Sequence, residues 1–79
     1  MPDLLDRRRA FGAAVRERRR LLHLSQQQLA SRAGVDRKTV TRVETAVGTL
    51  TMERMWRLAD ALDLDARELL RREPEAREP

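Results

Sequence analysis

The sequence contains no cysteine and no tyrosine, and it has one histidine, one tryptophan and one phenylalanine. Without cysteine there is no disulfide framework and no thiolate metal site. One histidine and two serines leave little material for a nucleophile and its base, and no glycine-rich phosphate loop is present. An enzyme is therefore not expected, nor a metal site or a cofactor, and no small-molecule effector is evident. Long apolar runs are missing too. Pairs such as Leu21–Leu22 are typical, so no segment is expected to span a membrane, and the first residues lack a signal peptide's apolar stretch. The expected location is the cytoplasm. Only three glycines and three prolines punctuate 79 residues, and no window alternates as a half-buried strand would. What remains is one small all-α domain with a thin core.

Charge is what the sequence has in quantity. The net charge is +4, but its distribution says more than its size. Residues 1–50 hold 11 cations and 5 acids, whereas residues 51–79 hold 6 cations and 8 acids. A basic pole of that kind suits a polyanion. Arginine makes up 16 of the 17 cations, a chain-wide bias that lowers the weight of any single one.

Five short helices are legible. The first runs from Leu4 or Arg8 to Leu22, with Phe11, Ala14, Val15 and Leu22 near one face. Ser25 is a good N-cap for the second, and Gln28 completes a capping-box pattern. That helix should end at Ala33, with Gly34 as the left-handed turn residue. Asp36 can cap the third, which runs to about Thr45. After the loop "AVGTL", Thr51 caps a fourth helix carrying Met52, Met55, Trp56, Ala59 and Leu62 on one face. Asp65 and Glu68 form another capping-box pattern, opening a short fifth helix with Leu69 and Leu70. Residues 1–7 read as a flexible arm or helix start, 8–72 as the domain, and 73–79 as a disordered charged tail.

The informative stretch is Gln26 to Thr45. Leu29 and Ala33 would face inward from the second helix, Val40 and Val43 from the third, with Val35 plugging the turn. Ala30 is small enough for a close crossing, and Gly34 tolerates φ > 0 at the corner. Two helices joined by so short a turn make a helix-turn-helix at residues 26–45. At about 100° per residue, the face opposite the valines holds Lys38, Thr41, Arg42 and Thr45, with Arg37 at its edge. Glu44 falls beside the valines, too near the core to stand unpaired.

"LSQQQLASRAGVDRKTVTRVE" resembles the helix-turn-helix of the Cro/cI-like (XRE-like) family of DNA-binding proteins, and the match runs without gaps from Phe11 to about Leu70. The "DR" opening of the third helix and the "LT" before the fourth are similar to the restriction–modification controller proteins. The resemblance implies a five-helix bundle of the lambda-repressor-like type. It also implies that Gln26–Ala33 lies across the DNA backbone while Arg37–Thr45 enters the major groove. Arg37, Lys38, Thr41 and Arg42 are then candidates for reading bases, and Gln26 and Thr39 for holding phosphates. An arginine at the position of Arg19 often joins a glutamate at that of Glu44 in this family, so the pair is expected to be structural. Arg7–Arg9 is either an arm toward the DNA or a solvated helix start. His23 stands where the family usually has glycine, Ala46 likewise, and Leu50 replaces a frequent proline.

The expected function is that of a transcriptional regulator, a homodimer on double-stranded DNA with a pseudo-palindromic operator, its contact formed by Leu64, Leu69 and Leu70. The competing readings are an antitoxin-type autoregulator that also holds a toxin, and a helical adapter that binds no DNA.

Overall fold

The computed structural model describes residues 3–64. Among these it contains four helices and no strand: α1 (Leu4–Leu21), α2 (Gln26–Ala33), α3 (Arg37–Glu44) and α4 (Met52–Ala61). A count of five is not supported. The fifth helix, with Leu69 and Leu70, and the tail at 73–79 lie outside the described residues. The expectation of that helix rests on the local Asp65/Glu68 capping pattern and on the family resemblance.

Each helix starts on a side chain that accepts from an otherwise orphaned backbone N–H. Asp3 accepts from Asp6, Ser25 from Gln28, Asp36 from Thr39 and Thr51 from Arg54. At α2 the box is complete, because the Gln28 side chain also accepts from the Ser25 N–H at 2.8 Å. Asp36 accepts from both the N–H and the hydroxyl of Thr39, at 2.9 and 2.6 Å. Those bonds, the hydroxyl's first, hold its carboxyl below the ordinary range.

The helices all end alike. In each, an N–H bonds to the carbonyl five residues earlier: Leu24 to Arg19, Val35 to Ala30, Val47 to Arg42 and Leu64 to Ala59. This closure needs a left-handed residue just before the donor. The four residues in that position are His23, Gly34, Ala46 and Asp63, with φ of 59°, 73°, 59° and 57°. Only one of them is glycine. Histidine and aspartate enter the left-handed region more readily than most residues, whereas alanine has no side-chain polar group to assist it. Ala46→Gly should therefore raise stability by about 0.5–1 kcal/mol, read as a higher melting temperature. An unchanged or lower value would show that Ala46 is unstrained.

The core joins all four helices. Val15, Leu29, Val40, Leu58 and Leu62 are its largest fully buried side chains, with Phe11, Leu22, Leu24, Val35, Leu50 and Leu64 packed around them. On α4 the buried stripe is rotated from the expected one toward Leu58 and Ala61. Ala59 and Leu62 are buried in it, while Met52 and Trp56 stand 68% and 48% exposed. Size misleads here, since a tryptophan at helical spacing looks like the anchor that Leu58 supplies.

One close approach fixes how α1 lies on α3. Gly12 is buried in α1, and a Cβ built there would stand 2.2 Å from the Val43 carbonyl oxygen. The helix backbones meet at a distance only glycine permits.

Candidate nucleic-acid interface

Three helices converge on Glu44. The Arg19 guanidinium on α1 donates to both of its oxygens, from Nε at 2.6 Å and Nη2 at 3.0 Å. A third donor, Arg19 Nη1, reaches the Leu24 carbonyl at 2.8 Å. The pair is buried, its side chains 10% and 3% exposed. The hydrogen bond to Glu44 raises the pKa of Arg19 above its already high value, against the lowering effect of burial. From α2, the Gln26 amide donates to Glu44 at 3.1 Å and accepts from the Thr41 hydroxyl at 3.1 Å. Arg19, Glu44, Gln26 and Thr41 thus form one chain of bonds that locks the second helix and the third onto the first.

The outer side of α3 is free of such ties. Val40 and Val43, the buried apolar residues of α3, face the opposite way. Arg37, Lys38 and Arg42 are exposed, and among the described residues none of their side-chain nitrogens has a hydrogen bond or ion pair. Eight residues therefore present three unpartnered cations on one short rod beside the N-terminus of α2. Thr39 and Thr41 are half-buried and already bonded, to Asp36 and Gln26. The Thr45 hydroxyl donates back to the Thr41 carbonyl at 2.8 Å. Of the candidate contacts, the three cations are open and the two threonines and Gln26 are engaged within the protein.

Other arginines on α1 are structural in a way that spacing does not reveal. Arg8 donates to the carbonyls of Ala46 and Gly48 in the α3–α4 loop. Arg18 donates at 3.0 Å to the carbonyl of Leu62, at the end of α4. The Arg7–Arg9 run is therefore split: its middle member clasps the loop, and Arg7 and Arg9 are exposed. Of the residues expected at a dimer contact, Leu64 packs against the core beside Phe11, and Leu69 and Leu70 lie outside the described residues.

Two helices crossing at a tight Gly34 turn, the second one cationic and outward, on a four-helix frame, define a helix-turn-helix DNA-binding domain. Residues 15–69 match the helix-turn-helix family model, and the chain belongs to that family, in its Cro/cI-like form. It is a DNA-binding transcriptional regulator rather than an enzyme. Solved structures similar to it include the restriction-modification controller protein C.AhdI from Aeromonas hydrophila, 39% identical with a TM-score of 0.75, covering 78% of this chain and 94% of that one. A hypothetical transcription factor, NHTF from Neisseria, is 31% identical with a TM-score of 0.80, covering 95% and 82%. The P22 c2 repressor protein, solved in complex with a synthetic operator, is 27% identical with a TM-score of 0.71, covering 76% and 91%. A search of curated proteins finds no match.

Proposed function

We propose that the chain is a sequence-specific regulator that binds a pseudo-palindromic operator as a homodimer in the cytoplasm, at the nucleoid. Residues 37–45 would lie in the major groove. The observation that carries this reading is the outer face of α3, with Arg37, Lys38 and Arg42 exposed and unpartnered among the described residues. Arginine and lysine donors match the O6 and N7 acceptors of guanine, and a helix fits that groove. Gln26 and Thr39 would meet phosphates, and Thr41 a base edge or a phosphate. Gln26 has an amide N–H left over after bonding Glu44, and it stands at the start of α2, where backbone N–H groups also point outward.

A single short helix reads too few base pairs for a useful specificity ratio, which is the reason for a dimer. Its contact would be formed by Leu64, Leu69 and Leu70; on α4, Met52 and Trp56 are further exposed apolar side chains.

Selection of binding sites from random duplex DNA tests the whole reading. The expected product is a two-fold-symmetric site with half-sites roughly one helical turn apart. Failure to enrich any sequence would overturn it. With the site in hand, Arg42→Ala should relax one base position by about 1–3 kcal/mol, while Gln26→Ala weakens all sequences alike. A uniform loss from Arg42→Ala would make that residue a phosphate contact instead.

A further inference from the structure

Between the N-terminal half of α1 and the α3–α4 loop lies a cavity of about 480 Å³, within the size range of small-molecule sites. Its wall is apolar, formed by Leu4, Phe11, Val47, Leu50 and Met55. Two of these are poorly placed for a chain without an occupant. Leu4 is 72% exposed and Val47 57%, so both leave large apolar side chains in water at the cavity mouth. The polar lining is of one sign. Arg7, Arg8 and Arg42 contribute to it, and among the described residues no lining side chain is acidic. Arg8 is committed to the loop carbonyls. The guanidiniums of Arg7 and Arg42 have no partner among the described residues.

We propose that this cavity binds an amphipathic carboxylate, an apolar body with one anionic head, and that its occupant takes Arg42 away from DNA. The body would cover Leu4 and Val47, and the head would accept from Arg7 and Arg42, which can each offer a bidentate fork. A cationic or neutral amphiphile of the same length gains the first interaction and not the second. The competition with DNA rests on the reading of Arg42 as a base contact; the binding itself does not.

The test begins without DNA. The full chain is titrated calorimetrically with decanoate below its micelle concentration, and with decanol and decylammonium as comparison probes. Decanoate should saturate at one per chain, decanol should bind about tenfold more weakly for want of the charge-assisted bonds, and decylammonium should not bind. The double substitution Arg7→Gln with Arg42→Gln should reduce decanoate to the level of decanol. Val47→Asp, at an exposed position, should abolish binding while the variant melts like the parent. Equal binding of the three amphiphiles, or no saturable binding, overturns the site. DNA affinity is then measured with and without decanoate, and a saturating concentration should weaken it by at least about tenfold. Unchanged affinity overturns the competition. A chain that binds decanoate and no duplex DNA overturns the role given to Arg42 and leaves the site standing.

Discussion

Glu44→Ala should cost about 3–5 kcal/mol, the range for breaking a buried ion pair by removing one partner. That is a large share of the stability of a domain this small, about 4–12 kcal/mol at roughly 0.05–0.15 kcal/mol per residue. The substitution removes both acceptors of the Arg19 fork and leaves a charged guanidinium in a site where Arg19 is 8% exposed. It also strips Gln26 of its acceptor, so the α1, α2 and α3 contacts loosen together. Arg19→Ala should cost a comparable amount, because the carboxylate is then left buried and unpaired. The double variant should lose clearly less than the sum, since each single change already destroys the shared interaction. Urea melts of the four proteins measure this, and strictly additive losses would refute the pairing as the source of stability. High salt should change the parent's melt little, because a buried pair is poorly screened.

The second large effect has a sign opposite to intuition. Gly12 sits inside α1, where helix propensity alone favours alanine by about 0.5–1 kcal/mol. The Cβ would meet the Val43 carbonyl oxygen at 2.2 Å. That oxygen is held in place by the Ala46 N–H at 3.2 Å, so it cannot simply turn away. Gly12→Ala should therefore destabilise by about 2–3 kcal/mol, as overpacking against backbone does. A variant that melts at or above the parent's temperature would mean that α1 slides along α3 without loss.

These two residues mark where the sequence speaks and where it falls silent. Helix starts are local chemistry, and Ser25, Asp36 and Thr51 stood out because a cap needs only its own helix. Gly34 was legible for the same reason, as the corner residue of a short turn. Gly12 was not, because what makes it necessary is a backbone 31 residues further along the chain. Arg8 and Arg18 fail in the same way: their acceptors are carbonyls 38 to 44 residues away, and carbonyls carry no sequence signature. On α4, amphipathic spacing found the helix but not its rotation: at 100° per residue Leu58 lies about 160° from Trp56, and with apolar residues on both sides only packing against the other helices chooses the face. At the interface, spacing gave the outward face of α3. It could not tell that Thr39, Thr41 and Gln26 had already spent bonds inside the protein.

The arginines of α1 have one more consequence, and it concerns rates. Bonding to a neutral carbonyl ties down the guanidiniums of Arg8 and Arg18 without removing their charge. They still act over the Debye length, about 8–10 Å at physiological salt, and so add to the pull on an approaching polyanion. Arg8 Nη2 and Arg18 Nε are turned onto the α3–α4 loop and the end of α4, which takes those donors out of any contact with DNA. On the reading proposed above, encounter and hold would be divided between two helices, the first contributing to how often DNA is met and the third to how long it stays.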